Sequence, residues 1–104
     1  MKIFISMPMN GRSEKEIEQE RDSIFKSIKL KLPEAKLIDS IIDGAGKEIE
    51  LKGDSIGMWY LGKSIQIMCE ADIIFFAKGW ENARGCCIEK EIAEKYGKVC
   101  DTNI

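Results

Sequence analysis

The chain has 104 residues, 44% of them apolar and 33% charged, with 16 basic and 18 acidic side chains and a net charge of −2. That length fits one domain, residues 1–104, around one core, since a chain of this size buries roughly two-thirds of the surface it exposes when unfolded. The near-balanced charge provides no field for gathering a nucleic acid duplex, so a duplex is not an expected partner. The absence of histidine removes Ser-His-Asp and Cys-His catalysis and argues against a catalytic zinc. Cys69, Cys86, Cys87 and Cys100 form no pair of C-x-x-C motifs and read as reduced core thiols; neither a metal nor a cofactor is expected. The longest apolar runs, such as Ile73 to Ala77, are too short to cross a bilayer. No basic leader with an apolar stretch and a cleavage site opens the chain, so the expected compartment is the cytoplasm.

In chain order, Lys2 to Ser6 reads as a buried first strand followed by the turn-forming M-P-M-N-G. Ser13 stands three residues before Glu16, the capping-box spacing, and Ile17, Ile24, Phe25, Ile28 and Leu32 recur with helical period. Glutamates crowd the first turns and lysines the last, as the helix dipole favours, so a helix is predicted from Ser13 to Leu32, stopped by Pro33. Ala35 to Asp39 is the second strand, which makes a right-handed parallel unit with the first. From Ser40 to Gly57 the pattern is irregular and glycine-rich, a long excursion of the kind that is more often functional or mobile than structural. Met58, Leu61, Ile65 and Met68 then predict a helix from Met58 to Glu70. Asp72 to Ala77 is the third strand, apolar on both faces as a central strand should be. Ile88, Ile92 and Tyr96 define the last helix, Gly97 terminates it, and Lys98 to Cys100 leaves room for a fourth, edge strand.

The fold expected is a three-layer α/β domain, Rossmann-like or flavodoxin-like, with a four-stranded parallel sheet in the order 2-1-3-4. Ligands of such sheets bind beyond the carboxyl ends of the strands, where the strand order reverses. That rule places a site between the loop Met7 to Arg12 and the loop Lys78 to Gly85. Ser6, Asn10, Gly11 and Arg12 stand directly before a helix amino terminus, where free N–H groups attract anions. In the second loop Trp80 is placed to stack on a base and Arg84 to pair with a phosphate or carboxylate. The plainer alternatives are a turn with a helix cap for the first loop and a rim residue against a neighbouring subunit for Trp80.

Within the last helix, Lys90 is spaced to pair with Glu94 and Glu91 with Lys95, which marks a solvated face. Glu89 differs, because its neighbours at three and four residues are Gly85, Cys86, Ile92 and Ala93. A carboxylate on that small apolar face, near the helix start and held ionised by the dipole, suits attack at an anomeric carbon. The alternative is a glutamate that merely complements the dipole.

The stretches M-K-I-F-I-S-M-P-M-N-G, W-Y-L-G-K-S and A-D-I-I-F-F-A-K-G-W-E-N-A-R-G-C-C-I-E-K-E-I-A-E-K-Y-G-K together resemble the nucleoside 2-deoxyribosyltransferase-like proteins, and most closely a short branch described only as a domain of unknown function. The resemblance covers nearly the whole chain. It implies a Rossmann-like fold and cleavage or transfer of the N-glycosidic bond of a deoxynucleoside or its monophosphate. It assigns the nucleophile to Glu89, eight residues before Gly97-Lys98, and sugar or phosphate contacts to the segment Ser6, Met7, Pro8, Met9, Asn10, Gly11 and Arg12. Gly85 matches a glycine that lets the backbone approach the ligand. Ser64 stands where the enzymes usually carry an aspartate, and a serine cannot act as a carboxylate acid or base. Relatives are commonly dimers or larger, which agrees with the apolar and aromatic stretch Met58 to Leu61 as the seat of a two-fold homodimer. Two other functions fit the residues: a nucleotide-binding or sequestering module without chemistry, and a protein-interaction domain using Trp59, Tyr60 and Trp80.

Overall fold

The computed structural model describes residues 1–38 and 53–103. Strand β1 (Lys2–Ser6) leads into helix α1 (Glu14–Lys31), strand β2 (Lys36–Leu37), helix α2 (Asp54–Met68), strand β3 (Ile73–Phe76), helix α3 (Arg84–Lys95) and strand β4 (Val99–Asp101), with a 3-10 turn at Trp80–Asn82. The four strands form one parallel sheet in the order β2-β1-β3-β4. β1 and β3 are the inner pair, with Ile3 opposite Ile73 and Ser6 opposite Phe76. The fold is therefore the Rossmann-like α/β arrangement expected from the sequence.

The chain leaves β1 in one direction through α1 and later returns to the other side of it through α2 and α3. With the crossover hand constant, this reversal puts α1 on one face of the sheet and α2 and α3 on the other. Side chains of a strand alternate between the faces, so the two inner strands feed both layers. Ile3, Ile5, Met7, Phe75 and Ala77 pack with Ile28 and Ala35 beneath α1, joined by Ile17, Ile24 and Phe25. Phe4, Ile74 and Phe76 pack with Met68, Ala71 and Ala93 on the opposite face.

α1 begins as its spacing predicts: the Ser13 hydroxyl accepts from the Glu16 amide at 3.2 Å and donates to the Glu16 carboxylate at 3.2 Å. The end of α3 is equally legible. Gly97 takes φ +73°, its N–H bonds the Glu94 carbonyl, and the Lys98 N–H bonds the Ala93 carbonyl at 2.8 Å, which is the Schellman pattern.

Several boundaries differ from expectation. α2 starts at Asp54, four residues before Met58, and ends at Met68, short of Glu70. Its first turn has no apolar period to announce it, and Gly57, taken as an interruption, lies within the helix. The early stop has a physical anchor, since the Lys98 ammonium donates to the carbonyls of Cys69 and Ala71 at 2.8 and 2.9 Å and holds the turn into β3. α3 starts at Arg84, and Tyr96, expected on its apolar face, is its exposed C-terminal cap residue. β2 covers only Lys36–Leu37 of the expected Ala35 to Asp39, and β4 lies one residue later than expected. Asp39, and residues 40–52 of the stretch expected to be irregular, lie outside the described residues.

The capping exchange at α1 carries a measurable load. Ser13→Ala should lower stability by about 1 kcal/mol in urea unfolding, the usual worth of an N-cap hydroxyl. Leu30→Ser, at a position that is 86% exposed, should leave the midpoint nearly unchanged.

Candidate functional site

The pleat of β1 determines which residue reaches the carboxyl edge of the sheet on the α3 side. Ser6 has the parity of Phe4, so it faces the layer of α2 and α3, at the carboxyl end of the strand. Opposite it stands Glu89, and the Ser6 hydroxyl donates to Glu89 Oε1 at 3.5 Å. Ser6 is 2% exposed and Glu89 8%. Glu89 Oε2 is buried and has no hydrogen-bond partner among the described residues. Gly85 lies one turn earlier on α3, so close that a Cβ there would stand 4.0 Å from Glu89 Oε1.

Burial pushes the Glu89 carboxyl up from 4.5 to about 7, and the Ser6 hydroxyl works in the opposite direction by favouring the charged form. This corrects the expectation that the helix dipole holds Glu89 ionised. Because α3 starts at Arg84, Glu89 belongs to its second turn, and the dipole's influence fades within the first. Desolvation prevails. Cys86, read from sequence as a core thiol, is the third member of the cluster: it is buried, and its thiol interacts with the same Ser6 hydroxyl and with Glu89. Burial pushes that thiol up, so it stays protonated at neutral pH. Its position three residues before Glu89 was the available signal.

The two expected loops meet. A Cβ at Gly79 would stand 3.6 Å from Pro8 Cγ, and the Ala77 N–H bonds the Ser6 carbonyl at 2.8 Å. Met7 is buried in the core under α1, Pro8 is half-buried, and Met9, Asn10 and Gly11 are exposed, with Gly11 at φ +75° in the turn that the Arg12 N–H closes on the Met9 carbonyl. The Arg12 guanidinium donates to the Pro8 carbonyl at 2.9 Å and pairs with Glu20, which ties the loop to α1. Arg84 lies against α2, its Nη2 3.7 Å from where a Cβ of Gly57 would be. Trp80 packs on Phe76 with ring centroids 5.9 Å apart, and Lys90 Nζ sits 5.1 Å over its ring. Ser64 is half-buried on α2 and forms no hydrogen bond to Ser6 or Glu89.

On the outer side of α3, Lys90 pairs with Glu94 as its spacing predicts, whereas Glu91 and Lys95 form no ion pair. Both are exposed, where water solvates each charge as well as a partner does. An open groove of about 350 Å³ runs along this side, lined by Trp80, Cys87, Lys90, Glu91, Glu94 and Lys95. It does not include Glu89, which lies on the opposite, buried face of the helix. Among the described residues no cluster of three metal-ligating side chains occurs, and no helix is long and apolar enough to cross a membrane.

No protein-family model, curated protein or solved structure matches the chain.

The buried carboxyl makes stability depend on pH with a definite sign. Between 4.5 and about 7 the folded state binds a proton that the unfolded state has released, so stability falls as pH rises through that window. Glu89→Gln carries no such proton. It should gain on the wild type by up to about 3 kcal/mol between about pH 4 and about pH 8, read from urea midpoints at the two pH values.

Proposed function

We propose that the chain binds a nucleoside or nucleotide at the carboxyl edge of its sheet and cleaves or transfers the N-glycosidic bond with Glu89 as nucleophile. The observation that carries this reading is the Glu89 carboxyl, buried at the end of β1 with one oxygen lacking any partner among the described residues. Buried polar atoms are otherwise satisfied in folded proteins, and an orphan at a topological switch point is a place for a ligand atom. Gly85 leaves room beside it for close approach. The resemblance in sequence to the deoxyribosyltransferase-like proteins points to the same residue.

In this reading ionised Glu89 attacks C1′ and the electron pair of the C1′–N bond leaves with the base, which takes a proton from water. The glycosyl ester then opens by attack of water or of a second base on C1′, which frees the carboxylate. A carboxyl with its midpoint at about 7 leaves both forms populated at neutral pH. That balance also favours the second reading, a binding module in which protonated Glu89 donates a hydrogen bond to the ligand and no bond breaks.

Incubation with a panel of deoxynucleosides and their monophosphates, followed by detection of free base, separates the two. Glu89→Ala should abolish base release, a loss of several orders of magnitude. Glu91→Ala, on the solvated side of α3, should leave the rate within about twofold. Because the ionised carboxylate is the nucleophile, the rate should rise with pH through about 7. Ser64→Asp should raise the rate only while Glu89 is intact. Ligand binding without base release from any substrate, in the wild type and in Ser64→Asp, would establish the binding module instead.

Assembly follows the same reading. α2 exposes Ile56, Met58 and Tyr60, with Met58 at 74%, and Met58→Asp should turn a two-fold dimer into a monomer in sedimentation equilibrium.

A further inference from the structure

Ser6 is an unusual residue to find at the end of a strand whose other inward positions are apolar. It is buried to 2% exposure, and its backbone carbonyl is already taken by the Ala77 amide. Its hydroxyl is turned into the α3 layer, with Glu89 Oε1 as its hydrogen-bond acceptor at 3.5 Å. We propose that Ser6 is a positioning residue for Glu89, fixing the rotation of the carboxyl through Oε1 so that Oε2 is the oxygen presented to the ligand. The inference rests on the reading of Glu89 as the reactive group, and it changes the role of Ser6 from a direct contact with sugar or phosphate to one exerted through Glu89.

The proton inventory supports this direction. A serine hydroxyl has one proton to give and two lone pairs to receive. Burial pushes the Cys86 thiol up while the same hydroxyl works to lower it, so the sulfur competes for the one Ser6 proton, and the hydrogen bond formed is the one to Glu89 Oε1. Among the described residues, Ser6 is the side chain whose hydrogen bond favours the charged carboxyl, against the desolvation that raises it. Without Ser6 no hydrogen bond among the described residues would distinguish the two carboxyl oxygens, and rotation about the last side-chain bond is broad for glutamate. The 3.5 Å separation is long, as catalytic hydrogen bonds often are before a substrate closes the site.

The test pairs a titration with kinetics. The Glu89 carboxyl is followed by carbon NMR of glutamate-labelled protein, assigned by the loss of its signal in Glu89→Gln, in the wild type, Ser6→Ala and Ser6→Thr. Removing the donor should move the Glu89 midpoint upward in Ser6→Ala, and Ser6→Thr, which keeps a hydroxyl, should bring it back toward the wild type. In the base-release assay, Ser6→Ala should lower kcat roughly tenfold with KM within about twofold and shift the pH–rate limb upward with the titration. An unmoved Glu89 midpoint in Ser6→Ala would overturn the proposal, as would a raised KM with kcat unchanged, the mark of a direct substrate contact. If the wild type releases no base, the catalytic reading fails, and the titration still decides whether Ser6 holds the carboxyl.

Discussion

β1 is the strand about which the chain reverses its winding, and it must therefore be covered on both faces. Ile3, Phe4, Ile5, Ser6 and Met7 are all nearly inaccessible to solvent. Alternation along this strand sends Ile3, Ile5 and Met7 to α1 and Phe4 to α2 and α3, so the two halves of the core are joined through one backbone. The same alternation leaves Ser6, the last residue of the strand, among the side chains facing α3. The polar end of an apolar strand and the buried carboxyl of a helix are thus brought together by the pleat and the strand order, before any loop is considered.

What closes the arrangement is the way α3 is anchored at its two ends. At its carboxyl end, Gly97 and the Lys98 amide cap the helix, and the Lys98 ammonium reaches the carbonyls of Cys69 and Ala71 at the end of α2. One residue therefore joins the last turn of α3, the turn into β3 and the start of β4. At the amino end, Ala83 caps the helix without a side-chain hydrogen bond, and Pro8 meets Gly79 at the carboxyl edge of the sheet. The amino end is tied as well, through the Ala83 N–H to the Trp80 carbonyl and through Arg84 against Gly57 of α2.

The sequence made the architecture legible wherever a local signal coincided with a global one. The Ser13 and Glu16 spacing, the apolar period of α1, the two-faced apolar run of β3 and Gly97 each have one structural consequence, and each is observed. The start of α2 was not legible, because Asp54 to Gly57 carries no apolar period and Gly57 reads as a breaker. At the candidate site, the apolar face of Glu89 announced its burial, since period alone places Cys86 and Ala93 beside it. Its protonation was not legible. That depended on whether the helix starts at Arg84 or nearer Glu89, a difference of one turn that sequence patterns do not resolve and that decides between dipole and desolvation. The loop cations show the same limit: the residue types suggested anion binding, but tertiary placement commits Arg12 to Glu20 and the Pro8 carbonyl.

The burial that unsettles Glu89 is also what would make it useful. An exposed glutamate is fully ionised at neutral pH but well solvated, and water must be stripped from it before it can approach a carbon centre. Sunk against Cys86 and Ala93, Glu89 has already lost most of that water, and the domain bears the desolvation at folding rather than at each encounter with a ligand. Among the described residues only a partial compensation is provided, one hydroxyl at 3.5 Å to one oxygen, with the second oxygen left unsatisfied. Full compensation by two or three donors would drive the carboxyl's midpoint down and turn the group into an inert structural anchor. No compensation at all would leave it protonated and unreactive over the whole physiological range. The intermediate arrangement leaves it balanced near neutrality, so in the proposed reading a ligand that supplied a donor or a developing positive charge beside Oε2 would decide which form prevails.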